Sequence, residues 1–243
     1  MLPGNGFRAV LFDLDGTLRF NHPRFMDVLF DYASRAGIGD IAKNRHQATR
    51  WFHHYWAQSQ ELLENLKAFQ IDEDAFWVNH TRLYFIACGC DPHEAERLAP
   101  AAQRRLKEDY KPKICIPPDV PETLQTLKNA GLTLGVVSNR MQSFSQEICD
   151  IGLQDYFDLL LASGEIGVYK PDPAIFRYAT QQLNVRPEQA VYVGDNYYAD
   201  IIGARQAGLF PVLLDADGVF PDADCVVIQT IGELASLLQT QQP

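Results

Sequence analysis

The sequence predicts an α/β fold in which a parallel sheet is covered by helices on both faces and an all-helical domain interrupts the chain. Short apolar runs without polar alternation recur at residues 8–12, 132–137, 190–193 and 211–214. A strand with no polar face is buried on both sides, which is the condition of a parallel sheet. Helical patterns separate these runs, so strand and helix alternate through right-handed crossovers. Residues 20–111 break that rhythm with four helical stretches and no convincing strand. The expected architecture is a Rossmann-like three-layer core, residues 1–19 and 112–243, with an inserted helical-bundle domain at 20–111.

Each element has its own signal. Residues 8–12 (RAVLF) form the first strand and deliver the chain to Asp13. Asp13-Leu14-Asp15-Gly16-Thr17 then reads as a turn, in which Gly16 lets the chain bring Asp15 round although neighbouring carboxylates of a strand would point apart. The insert carries helical patterns at 24–36, 41–69, 74–87 and 92–110, and the returning linker 111–118 holds three prolines that bar helix continuation. Helices at 121–130 and 143–151 are closed by Gly131 and Gly152 and flank the strand at 132–137. A strand at 157–161, helices at 173–183 and 198–207, and the two later apolar runs complete the core. Residues 239–243 read as a frayed end.

Composition removes several function classes. The 243 residues are 47% hydrophobic and 21% charged, the balance of an ordinary globular chain. Lys and Arg number 21 against 31 Asp and Glu, a net charge of −10 with no basic stripe, so nucleic acid is not expected as a partner. No apolar run approaches the roughly 20 residues needed to cross a bilayer, and the N-terminus lacks a leader pattern, so a cytoplasmic location away from membranes is expected. Five scattered cysteines do not suggest a disulfide framework, and Cys88-Gly89-Cys90 is too tightly spaced for a zinc knuckle. An acidic chain that binds an anion needs a metal ion and a few placed cations to reverse the potential locally.

Ligands of an open parallel sheet gather at the carboxyl ends of its strands. Those ends hold Asp13, Asp15 and Thr17 after the first strand, Ser138-Asn139 after 132–137, and Gly194-Asp195 with Asp200 after 190–193. Lys170, in Lys170-Pro171-Asp172-Pro173, precedes the helix at 173–183. This ordered set resembles the four motifs of the haloacid dehalogenase-like hydrolase superfamily, and the insert after the first motif is similar to that family's first type of helical cap. Residues 201–208 are also similar to the helix after the last motif.

The resemblance implies a phosphatase branch enzyme that uses Mg²⁺ on a small phosphorylated substrate. It makes Asp13 the nucleophile that forms an aspartyl-phosphate, and Asp15 the acid and base. The metal would be held by the Asp13 side chain, the Asp15 backbone carbonyl and the Asp195 side chain, with Asp200 behind a metal-bound water. Ser138 and the Asn139 amide would bind phosphoryl oxygens, Lys170 would neutralise developing charge, and Thr17 would border the substrate; His22, just after the first motif, either touches substrate or is a loop residue without a role. The residue types suit the chemistry: phosphate-monoester hydrolysis is so slow that acceleration approaches about 10²¹-fold, beyond the roughly 10²–10⁴ of a single acid or base. A covalent intermediate splits the barrier, and a hard cation relieves repulsion between carboxylate and phosphate.

Plainer readings exist for each residue. The Asp-Gly segment can be a simple turn, Ser138-Asn139 a helix cap, Lys170 a surface charge, and Asp195 and Asp200 dipole partners. His46, His53 and His54 lie among Trp51, Phe52, Tyr55 and Trp56, a pattern of packing more than of ligation. Tyr197 and Tyr198 can line a pocket or start a helix. A sugar-phosphate mutase shares these motifs, and a phosphoacceptor or metal-binding module without turnover is the alternative from another class. Dehalogenation is disfavoured because it needs no acid two residues after the nucleophile. The sequence names neither the substrate nor the oligomeric state.

Overall fold

The computed structural model describes residues 6–38 and 41–239. It divides into two compact units, one running to Phe20 and resuming at Ile116, the other Asn21–Cys115. Residues 240–243 of the expected frayed end lie outside the described residues.

Strand β1 (Ala9–Phe12) opens the first unit, and β2 (Phe20–His22) follows the turn. Five helices come next: α1 (Phe25–Arg35), α2 (Ile41–Trp56), α3 (Gln60–Ala68), α4 (Glu73–Ala87) and α5 (Pro92–Asp109). After β3 (Lys113–Cys115) and α6 (Asp119–Asn129) the core proceeds through β4 (Thr133–Ser138), α7 (Ser145–Asp150), β5 (Leu159–Ala162), α8 (Ser163–Ile166) and α9 (Pro173–Gln182). It ends with β6 (Ala190–Gly194), a π-helical turn at Tyr197–Ile201, α10 (Ile202–Ala207), β7 (Phe210–Leu214), β8 (Val226–Ile228) and α11 (Glu233–Gln239).

Six strands form one sheet in the order β5-β4-β1-β6-β7-β8, with every pair parallel. All four residues of β1 are fully buried, and they serve both faces. Val10 and Phe12 join Leu124, Val136 and Val193 on one side, while Ala9 and Leu11 join Ile175, Phe176 and Ala204 on the other. Burying a large apolar side chain stabilises by about 1.5–3 kcal/mol, which explains why these strands show no polar alternation. Because β4 and β6 lie on opposite sides of β1, the strand order reverses there, and such a reversal is where an open parallel sheet takes its ligands, outside the carboxyl ends of the strands.

The α/β class and the parallel sheet are as the sequence predicts, and three local features differ. The helix expected over 41–69 is two helices: Gln58 takes φ 56°, and Ser59 caps α3 by accepting from Leu62 N at 3.1 Å. A Ser cap supplies a partner for an otherwise orphaned amide, so the chain gains by restarting the helix. Strands β2 and β3 pair as a two-stranded sheet that three-residue segments gave no pattern to reveal. Strand β8 extends the main sheet for the same reason.

The second unit is packed with aromatic rings. His80 of α4 is fully buried, with the rings of Tyr55, Trp56, Trp77, Trp51, Phe52 and Phe25 at 5.1, 5.5, 5.6, 5.7, 5.8 and 6.3 Å. Neither imidazole nitrogen has a hydrogen-bond partner, and burial pushes the ring down from 6.5 to about 3. Below pH 6.5 the unfolded chain takes up a proton that the folded chain refuses, so stability falls as pH drops from 6.5 towards 3 and is unaffected by this group above 6.5. At pH 5 the loss from His80 amounts to about 2 kcal/mol. Denaturant unfolding at pH 7.5 and pH 5 is expected to show His80→Leu losing that much less than the parent on acidification; parallel losses would exclude His80 as the cause.

Candidate active site

The carboxyl ends of β1, β4 and β6 are held level by register: Phe12 pairs with both Val136 and Val193. Asp13 therefore emerges beside the ends of both neighbours, with its amide donating to Val193 O at 2.8 Å. The chain then turns at Gly16, whose φ of 97° suits glycine and whose amide donates to Arg19 O at 2.8 Å. A Cβ at Gly16 would collide with the Asp195 carboxylate, and one at Gly194 with the Asp200 carboxylate. The two glycines thus clear the space that those carboxylates fill.

Lys170 reaches this point from the loop between α8 and α9, where Asp172 caps α9 by accepting from Ala174 N at 2.9 Å. Lys170 is 2% exposed, and its ammonium donates to Asp13 Oδ1 at 2.6 Å, Asp200 Oδ1 at 2.7 Å and the Tyr192 hydroxyl at 3.0 Å. Asp200 stands in the π-helical turn, fully buried, and its Oδ2 accepts from Asn196 N at 2.9 Å. Asp195 accepts from the Thr17 hydroxyl at 3.3 Å. Among the described residues, Asp13, Asp195 and Asp200 are the one group of potential metal ligands, each offering a carboxylate oxygen, all within 4.8 Å of one another.

The electrostatics follow from crowding. Burial pushes the Asp13 carboxyl up to about 7, Asp200 and Asp15 adding to the rise and Lys170 opposing it. Asp195 is only partly buried by surface, yet protein surrounds its carboxyl closely enough that desolvation, Asp13 and Asp200 push it well above the usual range. Burial alone would lower Lys170, but Asp13, Asp200 and Tyr192 outweigh it and hold the ammonium well above its ordinary value. Two carboxylates thus hold one ammonium, and a third stands beside them.

The remaining expected residues are distributed unevenly. Ser138 is buried at the end of β4. The Thr17 side chain, expected to border a substrate, is 1% exposed and spends its hydroxyl on Asp195. Asp15 is exposed, with its carboxylate ion-paired to Arg140 and Arg19. His22 ends β2, exposed, in the second unit. His53 is buried there, its ring 6.5 Å from that of Phe52. Tyr197 stacks on Phe220 at 5.4 Å and donates to Asp224 at 2.8 Å, and Tyr198 packs edge-on against the same ring. The cysteines are free, Cys88 and Cys90 being buried.

Two positions gain roles that the sequence did not disclose. Tyr192 lies inside an apolar run and reads as core, yet its hydroxyl accepts from Lys170 and lies 3.0 Å from Val137 O and 3.3 Å from Asp200 Oδ1. The Asn139 side chain grips the backbone of Lys170, donating to its carbonyl at 2.9 Å and accepting from its amide at 2.7 Å, while Ser163 donates to the same Asn139 oxygen at 2.9 Å. Misplacing a catalytic group by about 1 Å can lower rate roughly 10²-fold. Asn139→Ala is accordingly expected to lower kcat by about 10- to 100-fold with KM nearly unchanged; a rise in KM with kcat unchanged would mean that Asn139 serves binding alone.

Known proteins are similar to this chain over most of its length. The family model described as haloacid dehalogenase-like hydrolase matches residues 7–208. The chain belongs to the haloacid dehalogenase-like hydrolases. A phosphoserine phosphatase of Thermus thermophilus is 32% identical over 225 residues, covering 86% of this chain and 88% of that protein. The crystal structure of a phosphatase of this family from Thermococcus onnurineus superposes with a TM-score of 0.57 at 27% identity, covering 98% of this chain and all (100%) of that one. A 2-haloacid dehalogenase from Pseudomonas syringae gives a TM-score of 0.56 at 28% identity, with 97% and 100% coverage. Overall similarity to this haloacid dehalogenase-like hydrolase does not separate the two chemistries, so the site residues must. Among the described residues no helix is long and apolar enough to cross a membrane.

Proposed function

We propose that the protein is a magnesium-dependent phosphatase, a phosphoric monoester hydrolase that passes the phosphoryl group of a small phosphorylated metabolite through Asp13 to water. The observation that carries this reading is the gathering of Asp13, Asp195 and Asp200 in one cluster, two of them bonded to the single ammonium of Lys170. Three carboxylates against one lysine make a hard, oxygen-rich donor set with net negative charge, and repulsion among them adds to the burial that pushes Asp13 and Asp195 up. Such a set suits Mg²⁺. The Asp13 and Asp195 side chains and the Asp15 carbonyl would hold it, with Asp200 fixed behind them by Lys170 and Asn196. When bound, the ion supplies the positive charge that lets a phosphate dianion approach a carboxylate.

In the first step an Asp13 oxygen forms a bond to phosphorus, the bond to the leaving oxygen breaks, and that oxygen receives the proton of the Asp15 carboxyl. In the second, Asp15 takes a proton from water as the water oxygen displaces Asp13 and frees phosphate. Ser138 and the Asn139 amide donate to the phosphoryl oxygens, and Lys170 offsets the charge that grows on them. The presence of Asp15 favours this reading over dehalogenation, because halide departs as a stable anion whereas an alkoxide needs a proton.

The test is a screen of phosphorylated metabolites with and without Mg²⁺. Phosphate release that requires the metal and stops with a chelator is expected. Halide release from 2-haloacids, with no phosphate released from any monoester, would overturn the reading.

A further inference from the structure

The side chain of Asp15 is held by a ring of four charges. Arg140 donates to it in bidentate fashion, Nε to Oδ2 at 2.8 Å and Nη2 to Oδ1 at 2.9 Å. The same guanidinium donates to Glu147, Nη1 to Oε2 at 2.7 Å and Nη2 to Oε1 at 3.2 Å. Arg19 closes the ring as an ion pair to both acids, 3.0 Å from Asp15 Oδ1 and 2.8 Å from Glu147 Oε1. Arg140 leaves the same strand end as Ser138 and Asn139, and its guanidinium lies 5.8 Å from the Phe144 ring centroid.

We infer that Arg140 is the positioning residue of Asp15, parking its carboxylate beside Glu147, which keeps hold of the guanidinium when Asp15 lets go, takes a proton from water and turns to the reacting group. This rests on the phosphatase reading, in which Asp15 delivers a proton to the leaving oxygen. Both Asp15 oxygens are engaged by one guanidinium fork, so in the parked arrangement each already serves another group. Charge-assisted bidentate pairs are strong, and stripping a half-buried cation of its partner is costly. Glu147 removes that obstacle: when Asp15 leaves, Arg140 still has a second bidentate carboxylate, and Arg19 follows it. The ring is therefore a two-position device in which the departure of Asp15 leaves each arginine with a carboxylate partner, Glu147.

The two acids are predicted to have opposing effects through Arg140. With Glu147→Gln, Asp15 becomes the sole carboxylate partner of Arg140 and release becomes harder. Proton donation matters for phenyl phosphate, whose leaving group is basic, and little for 2,4-dinitrophenyl phosphate, whose leaving group departs as an anion. The full chain in Mg²⁺ is expected to lose about tenfold in kcat/KM for phenyl phosphate on Glu147→Gln, part of the roughly 10²–10⁴ that an acid contributes. The dinitrophenyl ester should change by less than about threefold on the same scale. Adding Arg140→Met to Glu147→Gln should largely restore the phenyl phosphate rate, since the bidentate fork is gone and only the single Arg19 contact to Asp15 is left.

Circular dichroism and thermal midpoints monitor folding of each variant. Equal losses on both esters, or a double variant as slow as Glu147→Gln, would overturn the positioning role. Asp15→Asn separates this from failure of the underlying reading: it should steepen the dependence on leaving group. If it leaves that dependence as in the parent, Asp15 is not the acid and the clamp has nothing to regulate.

Discussion

Replacing Asp13 with asparagine is expected to lower Mg²⁺-dependent turnover of p-nitrophenyl phosphate by roughly 10⁴-fold or more, the scale on which loss of a catalytic nucleophile is felt. The amide oxygen cannot form the covalent intermediate, and the remaining groups only bind and polarise the ester. The fold should survive. Asn is nearly the size of Asp, Lys170 keeps Asp200 at 2.7 Å, and one charge leaves a crowded pocket. Burial chiefly sets the folded Asp13 at about 7 against an ordinary 3.8, so in metal-free protein its ionisation subtracts stability as pH rises through that interval. Metal-free Asp13→Asn should therefore match or exceed the parent's thermal midpoint at pH 8 and gain nothing at pH 3.5. Near-normal activity in this variant would remove Asp13 as the nucleophile.

How far the sequence could be read depended on the kind of signal each feature leaves. A parallel strand buried on both faces writes itself as an uninterrupted apolar run, and β1, β4, β6 and β7 were legible for that reason. Strands β2, β3 and β8 are three residues each and leave no period to detect. The split of the expected helix at Gln58 turned on a Ser cap and one left-handed residue, signals weaker than the helical pattern on either side. At the site, Asp13, Lys170, Asp195 and Asp200 could be singled out because together they follow the order of a known family's motifs, although each alone has a plainer structural reading.

Tyr192 and Arg140 could not be singled out in that way. A tyrosine in an apolar run is ordinary core, and the Tyr192 hydroxyl acquires meaning only once Lys170 is known to lie 3.0 Å away. Arg140 follows Asn139 in a loop where an arginine is unremarkable, and its partners Asp15 and Glu147 are 125 and 7 residues distant in the chain. Asn139 was read for its backbone amide, whereas its side chain ties down the Lys170 loop, a tertiary contact that leaves no local pattern.

Lys170→Met is expected to damage stability and catalysis by separable routes. Lys170, 2% exposed, is the cation that touches both Asp13 and Asp200, and methionine fills its volume without its charge. Breaking a buried ion pair by removing one partner destabilises by about 3–5 kcal/mol, because the opposite charge stays behind unpaired. Here the carboxylates of Asp13, Asp195 and Asp200 stay behind, so metal-free protein at pH 8 should show a loss of this size in denaturant unfolding. Two conditions should shrink it. At pH 5, Asp13, already raised to about 7, carries a proton and the repulsion falls. In millimolar Mg²⁺, a divalent cation offsets the same carboxylates. Catalysis should recover under neither condition, with kcat down by roughly 10²–10³-fold even in saturating metal, because the lost donor acts on charge that develops during transfer. A variant equally stable at pH 5 and pH 8, with and without Mg²⁺, would show that Lys170 does not balance these carboxylates.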